Sequence, residues 1–225
     1  MTALARLAVF DVDGTLIDSQ HNIVAAMALA FRAQGLDDPG AEAVRRIIGL
    51  SLVEAVACLA PALAPARHES IALSYRDAFF VLRSQPDHSE PLFPGAVEAL
   101  DRLDEEGWLL GIATGKSRRG LDAMIERHGL QRRFVTLQTA DGNPGKPHPA
   151  MVLRAMDDAG VGPDVTVMIG DTSFDMRMAR AARARAAGVA WGYHPPADLL
   201  TAGAETMIDD FFALPPALEM LLGRP

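Results

Sequence analysis

Short apolar runs alternate along the chain with segments of helical periodicity. Nearly continuous apolar runs, typical of strands buried on both faces, occupy residues 7–10, 109–113, 134–138, 165–169 and 188–191. Amphipathic helices are predicted between them, with clear start and stop signals over 94–107 and 117–129. This alternation predicts an α/β fold, with a Rossmann-like parallel sheet and helices on both faces.

The interval from 17 to 90 lacks any good strand pattern. It predicts helices only, over 19–34, 41–48, 51–60 and 66–83. A block of this length is too long for an ordinary crossover between two strands. We therefore predict an inserted α-helical cap domain over 17–90, within a catalytic core formed by 1–16 and 91–225.

The bulk composition excludes several classes of protein. The 225 residues carry a formal net charge of −8, which argues against a nucleic-acid partner, because phosphate backbones need a basic face. Cys58 is the only cysteine, so no intrachain disulfide can form. No apolar run approaches the roughly 20 residues that span a bilayer, and no signal peptide is visible at the N-terminus. We expect a cytoplasmic protein without a membrane partner.

The first predicted strand stops at two carboxylates. Asp11 and Asp13 follow the run LAVF, and Gly14 and Thr15 then turn the chain. Open parallel sheets bind ligands at the carboxyl ends of their strands. A solvated turn is the alternative, since Asp and Gly are common turn residues. A calcium loop of the EF-hand type fits poorly, because the glycine comes too early and the further acids are missing.

Three more loops at strand ends carry polar residues. The stretch ATGKS (113–117) offers the Thr114 hydroxyl and the backbone N–H groups of Gly115 and Lys116 ahead of a helix, which suits an anion. In VMIGDTSFD (167–175) a buried strand stops at Asp171, and Asp175 follows four residues later. Asp171 as a helix N-cap is the alternative interpretation.

Lysine is unusually rare in this chain. Of the 21 lysines and arginines, only Lys116 and Lys146 are lysine, and both fall in strand-end loops. Lysine is a compact point charge, whereas arginine is a broad planar fork. The stretch GNPGKPHP (142–149) could simply expose Lys146 to solvent, but the pattern favours a functional role for this residue.

Convergence of the acids would require a cation. If the first and fourth strands are neighbours, the four carboxylates meet at one sheet edge: Asp11, Asp13, Asp171 and Asp175. They would repel one another, and some would take up protons. Oxygen ligands without His or Cys point to Mg²⁺, and a nearby lysine suits a phosphate group. We therefore expect one of the first two acids to attack phosphorus and the other to move protons.

The four loops together resemble a known family. FDVDGTL, ATGK, GKPHP and GDTSFD resemble, in order, the four motifs of the haloacid dehalogenase (HAD) superfamily of phosphohydrolases. The helical insertion is similar to the cap of its α-helical-cap subclass. The resemblance implies that Asp11 is the nucleophile and Asp13 the general acid and base. It also implies that Thr114, Gly115 and Lys146 bind the transferring phosphoryl group.

The resemblance implies the metal ligands as well. Mg²⁺ would be held by Asp11, by the backbone carbonyl of Asp13 and by Asp171, with Asp175 in or just outside the first shell. The substrate would be a small phosphorylated metabolite.

Within the superfamily the chain is similar to phosphoglycolate phosphatases. The cap size, the PGAVEAL helix and the tail after 188 support this similarity. Such proteins often have Asn where Gly115 stands, which leaves the substrate open. The loop 45–51 is expected to face the site, where Arg45 or Arg46 would meet a second anionic group. Both could equally be solvated helix arginines.

The sequence disfavours some activities other than hydrolysis and leaves others open. A dehalogenase needs no leaving-group acid, which Asp13 supplies, and Schiff-base phosphonate chemistry needs a cap lysine, which 17–90 lacks. A phosphomutase and a non-catalytic phosphate-binding regulator remain alternatives. The sequence leaves phosphoglycolate, sugar phosphates, nucleotides and pyrophosphate open as substrates, and it leaves the oligomeric state open.

Overall fold

The computed structural model describes residues 5–86 and 88–223 and has a parallel sheet at its centre. Within these residues the strand order is β3-β2-β1-β4-β5-β6, and every pairing is parallel. The strands are β1 (Arg6–Phe10), β2 (Trp108–Thr114), β3 (Thr136–Thr139), β4 (Thr166–Gly170), β5 (Arg185–Val189) and β6 (Thr206–Ile208). The α/β, Rossmann-like fold is confirmed.

Helices lie on both faces of the sheet, and further helices occupy the segment that separates β1 from β2 in the sequence. They are α1 (Gln20–Ala33), α2 (Ala41–Arg45), α3 (Leu52–Leu59), α4 (Pro65–Arg83), α5 (Ala96–Glu105), α6 (Arg118–Arg127), α7 (Ala150–Ala159), α8 (Ser173–Ala181), α9 (Pro196–Ala202) and α10 (Leu214–Leu222). Among the described helices, none is both long and apolar enough to cross a membrane.

The side-chain alternation of β1 divides the core into two layers. Ala8 and Phe10 belong to the apolar cluster that packs against α5, α6 and α10. Leu7 and Val9 belong to the cluster on the opposite face, with α7, α8 and α9. The central strand is therefore buried on both faces, which explains its continuous apolar sequence.

The helices α1 to α4 have an apolar cluster of their own. Met27, Phe31, Val44, Val56 and Ile71 are buried in it. These helices fall inside the interval where the sequence predicts a cap, and we propose the division at 16/17 and 90/91 as the domain boundary.

The two segments that connect these helices to the sheet run side by side. The Asp18 N–H donates to the Pro91 carbonyl at 2.9 Å, and the Phe93 N–H donates to the Leu16 carbonyl at 2.9 Å. The chain therefore leaves and re-enters the core at one place, beside the end of β1.

The C-terminal third differs from the sequence prediction. The fifth strand spans Arg185–Val189 rather than 188–191, and β6 was not predicted. The stretch RARAAGV is rich in residues that favour helix, so its local preference is wrong for a strand. Its pairing with β4 on one side and β6 on the other overrides that preference.

Candidate active site

The strand order places the predicted site loops at one edge of the sheet. Strand β1 lies between β2 and β4, so the segments after Phe10, Thr114 and Gly170 are neighbours. The Asp11 N–H donates to the Ile169 carbonyl at 2.9 Å, which extends the ladder to the first carboxylate.

A tight turn after β1 brings the first and fourth loops into contact. The Val12 carbonyl accepts hydrogen bonds from the next turn of backbone, at 2.9 Å from the Leu16 N–H. Gly14 has φ +85°, and a Cβ there would lie 2.2 Å from Oδ2 of Asp171. The turn therefore needs glycine both for its left-handed backbone and for its close approach to the acid.

Three carboxylates converge beneath this turn. Asp11, Asp171 and Asp175 are fully or almost fully buried, and each offers an oxygen within 4.8 Å of the others. Asp171 is held by the Thr15 hydroxyl, 2.8 Å from its Oδ1, and by the Tyr193 N–H, 2.9 Å from its Oδ2. The triad is thus oriented by groups outside it, which is typical of a prepared ligand set.

Asp175 is held in place at the start of α8. Thr172 is the N-cap, and it forms a capping box with Asp175, whose Oδ2 accepts from the Thr172 hydroxyl at 2.6 Å. Asp171 is therefore not the N-cap, and the alternative interpretation of this residue is wrong. The carboxylate of Asp171 lies close to that of Asp11 instead.

Lys146 is buried between two of the acids. Its side chain has no exposed area, and its Nζ lies 2.8 Å from Oδ2 of Asp11 and 2.6 Å from Oδ1 of Asp175. The interpretation as a solvated loop lysine is wrong. Among the described residues, Lys146 thus forms ion pairs with two of the three acids of the triad.

Burial and the neighbouring charges shift the pKa values of Asp11, Asp171 and Lys146. Burial raises the pKa of Asp11 to about 7; Lys146 opposes the rise, and Asp175 adds to it. Burial, followed by the charges of Asp11 and Asp175, raises the pKa of Asp171 well above its ordinary value. Burial alone would lower the pKa of Lys146, but the two adjacent acids raise it. The two adjacent acids thus favour the charged form of Lys146, whose single positive charge is smaller than the combined charge of three ionised carboxylates.

The residues present fit a divalent cation. Oδ1 of Asp11 is buried and has no hydrogen-bond partner among the described residues. Buried carboxylate oxygens are hard donors that suit ions such as Mg²⁺. The aspartate triad could therefore bind a divalent metal.

Asp13 is not one of the three acids of the triad. Its Oδ1 accepts from the Ser19 hydroxyl at 2.6 Å and lies 2.7 Å from Nζ of Lys116. Its carboxylate lines the cavity described below, as Asp11 does. The two acids of the first loop thus have different surroundings. The expected metal contact of the Asp13 carbonyl stays a prediction.

The second loop meets a loop from the helical insertion. Thr114 is buried beside the cavity, and its Oγ1 accepts from the Lys116 N–H at 3.2 Å. A Cβ on Gly115 would lie 2.7 Å from the carbonyl oxygens of both Gly49 and Leu50. Any side chain here would collide with the insertion, so the glycine permits this approach.

A cavity of about 400 Å³ lies between the insertion and the sheet. Asp11, Asp13 and Thr114 line its floor, and the loop 47–51 lines its wall. The floor carries the chemistry, and the insertion shapes the rest. A volume of this size is ordinary for a small-molecule site.

The arginines at the cavity are not the ones that the sequence indicated. Arg46 pairs with Glu42 at 2.8 Å, and its side chain is 76% exposed. Arg45 donates to Gln20 at 2.8 Å. Neither is among the described residues that line the cavity. The arginines that do line it are Arg76, Arg83 and Arg119.

Sequence reasoning also missed a buried acid where the insertion rejoins the core. Glu90 is 4% exposed, and its carboxylate lies 3.1 Å from Nε2 of His88 and 3.9 Å from Nζ of Lys116. Lys116 in turn contacts Asp13, so Glu90 connects this segment to the first loop. No local signal marks Glu90, since it follows a Pro- and Ser-containing loop.

Comparison with known proteins identifies the class that this fold and site define. Residues 8–189 match the family described as haloacid dehalogenase-like hydrolase, and the chain belongs to that family. It is 36% identical over 220 residues to "Probable phosphatase IndB" of Dickeya dadantii, covering 96% of this chain and 94% of the relative. It is 30% identical over 224 residues to the phosphoglycolate phosphatase of Agrobacterium fabrum, covering 96% and 93%.

Solved structures agree with the family. A crystal structure of a hydrolase from Pseudomonas syringae superimposes with a TM-score of 0.85 at 28% identity, covering 96% of this chain and 99% of that one. The protein is a phosphoric monoester hydrolase, similar to phosphoglycolate phosphatases.

Proposed function

We propose that this phosphatase hydrolyses a small phosphate monoester in a Mg²⁺-dependent reaction through an aspartyl-phosphate on Asp11. The observation that carries the proposal is the unpartnered, buried Oδ1 of Asp11, on the floor of a cavity beside two further acids and one buried lysine. A carboxylate prepared in this way is suited to attack an electrophilic phosphorus.

The first half-reaction uses both acids of the first loop. The Asp11 carboxylate attacks phosphorus, and the bond from phosphorus to the ester oxygen breaks. Asp13, which lines the same cavity, donates a proton to the departing oxygen. Lys146 and the Thr114 hydroxyl offset the charge on the phosphoryl oxygens.

The second half-reaction reverses the role of Asp13. Its carboxylate accepts a proton from water, the water oxygen attacks the phosphorus of the aspartyl-phosphate, and phosphate leaves with Asp11 restored. Two acids with different surroundings can therefore perform nucleophilic and proton-transfer roles in one site.

The triad would hold the ion. Asp11, Asp171 and Asp175 are its candidate side-chain ligands, and a bound Mg²⁺ would supply charge neutralisation for phosphoryl transfer.

The substrate and its surroundings are proposals at a finer level. The named relative in Agrobacterium makes phosphoglycolate one candidate substrate. The function of residues 17–90 as a cap that covers the site is supported by the wall that they form around the cavity. The cytoplasmic location stays a prediction.

A metal-exchange assay tests this function. Hydrolysis of p-nitrophenyl phosphate should disappear in EDTA and return when Mg²⁺ is added in excess. Full activity in metal-free buffer would contradict the proposed chemistry.

A further inference from the structure

One face of α4 lines the cavity with aromatic rings and arginines. Tyr75, Arg76, Phe79, Phe80 and Arg83 all border it. Consecutive members are alternately one and three residues apart in the sequence, so they occupy a single helix face. This face is neither the plain apolar stripe of a packed helix nor the charged face of a solvated one.

The rings on this face are accompanied by cations. The centroids of Tyr75 and Phe79 are 5.7 Å apart, and the Arg83 guanidinium lies 5.1 Å from the Phe79 centroid. The Arg119 guanidinium, from α6 of the core, lies 5.0 Å from the Phe80 centroid. Such arrangements offer flat apolar surfaces beside positive charge, which suit a planar ring that carries an anion.

Phe80 is the most accessible of these rings. The residue is 59% exposed although it borders the cavity, whereas Phe79 is partly buried. A large exposed aromatic residue at a site is available for a ligand to cover. Phe80 therefore borders the cavity with a largely exposed ring, which the Arg119 guanidinium contacts.

The size of the cavity points the same way. Its volume of about 400 Å³ lies in the range of sites that hold small organic molecules. The phosphoryl group occupies only the floor. The insertion side includes the apolar side chains of Ile23, Met27 and Leu52. A two-carbon leaving group would leave most of this apolar wall in contact with water.

We propose that the leaving group of the substrate carries a planar ring, which packs against Phe79 and Phe80 of α4. The inference rests on the proposed phosphatase function and specifies its substrate class, a phosphate monoester of a ring-bearing alcohol. Phe80 is then a specificity-determining residue. Two sources share this chemistry: a nucleoside monophosphate, with the ring on a sugar, and a heteroaromatic phosphate, with the ring next to the ester carbon.

Two matched substrate pairs test the proposal. AMP and ribose 5-phosphate share the phosphorylated sugar and differ in the ring, and pyridoxal phosphate and glycerol phosphate form the second pair. In at least one pair, kcat/KM for the ring-bearing ester should be about tenfold higher or more, which corresponds to about 1.4 kcal/mol. The pair that responds identifies the source of the ring.

Variants locate the effect. Phe80→Leu should lower kcat/KM for the favoured ring-bearing ester about fivefold or more, because base–aromatic stacking contributes energy of this order. It should leave the ringless partner within about twofold. Val81→Ala is the matched control, since Val81 is 54% exposed on the same helix and is not among the described residues that line the cavity. Both variants should retain the wild-type melting temperature.

The outcomes distinguish failure of the ring proposal from failure of the proposed phosphatase function. Parity within both pairs, a preference for phosphoglycolate over every ring-bearing ester, or an equal loss on both members of a pair in Phe80→Leu overturns the ring proposal and leaves the phosphatase function intact. Failure to hydrolyse any of these esters with Mg²⁺ overturns the proposed function itself.

Discussion

At the scale of single residues, Lys146 is the side chain whose chemistry is most constrained. It is buried and lies within ion-pair distance of Asp11 and Asp175 at once. A point charge fits between two carboxylates, whereas a planar guanidinium needs more room and directs its donors along a fixed fork.

Lys146→Arg should therefore reduce kcat/KM about tenfold or more, equivalent to about 1.4 kcal/mol of transition-state stabilisation. Steady-state kinetics with Mg²⁺ measure the effect. Arg118→Lys is the control for the exchange itself, because that side chain is 56% exposed and pairs only with Asp122 among the described residues. Wild-type kinetics for Lys146→Arg would mean that the rarity of lysine in this chain has no functional cause.

Among the predicted site residues, the structure brings together Asp11, Asp171 and Lys146. The two acids directly follow buried strands and Lys146 lies in the loop after β3, so the topology of a parallel sheet places all three at the same end of the sheet. Arg46 was selected for its position in a loop, but its guanidinium contacts Glu42 instead. Where a long side chain ends depends on the packing of helices against one another, and no short stretch of sequence encodes that packing.

At the scale of elements, the loop 47–51 of the insertion closely approaches the loop after β2 at the catalytic floor. Gly115 makes it possible, because a Cβ would lie 2.7 Å from two carbonyl oxygens. Backbone carbonyls cannot give way as a flexible side chain can, so the loop would have to withdraw.

Gly115→Ala should accordingly displace the insertion and lower kcat/KM roughly tenfold, since a misplacement of about 1 Å at a reacting centre costs up to about a hundredfold. Gly142→Ala is the matched control: its nearest atom would be Arg154 Nη1 at 3.9 Å. Equal kinetics for the two variants would show that closeness of the two loops does not matter for turnover.

The apolar pattern of the sequence predicts some strands of the sheet correctly and misses others. Strands β1, β2 and β4 are apolar runs between turn signals, and their prediction was correct to within about two residues. Strand β5 is rich in residues that favour helix and β6 has only three residues, and both lie at the far side of the sheet. Their conformation comes from pairing with a neighbour rather than from local preference.

At the scale of the whole molecule, the buried acids couple stability to pH. The pKa of Asp11 is raised from 3.8 to about 7, and that of Asp171 is also raised. Between pH 3.8 and about 7 the folded, metal-free protein therefore binds more protons than the unfolded chain. The contribution of these groups to the free energy of unfolding falls as pH rises through that window.

A divalent ion should reverse this loss, because it binds the ionised carboxylates. The increase in melting temperature on adding Mg²⁺ should be larger at about pH 8 than at about pH 5.5. Thermal unfolding in EDTA and in Mg²⁺ at both pH values measures it. In Asp11→Asn the metal-dependent increase should shrink at both. An equal increase at the two pH values in the wild-type protein would contradict the metal assignment of the triad.

In the proposed mechanism Asp11 and Asp13, two residues apart, have different tasks. In Asp13→Asn the nucleophile remains, and a good leaving group such as p-nitrophenolate departs without a proton. The second step still lacks its base, which is worth about 10² to 10⁴ in rate, so the phosphoenzyme should accumulate. In Asp11→Asn no phosphoenzyme can form.

The most direct test of these two roles is intact-protein mass spectrometry of each variant, incubated with p-nitrophenyl phosphate and Mg²⁺ and then rapidly quenched with acid. The Asp13→Asn protein should gain the mass of one phosphoryl group, and the Asp11→Asn protein should not. Labelling of Asp11→Asn, or the absence of label from an Asp13→Asn protein that still releases p-nitrophenolate, would contradict the assignment of Asp11 as the nucleophile.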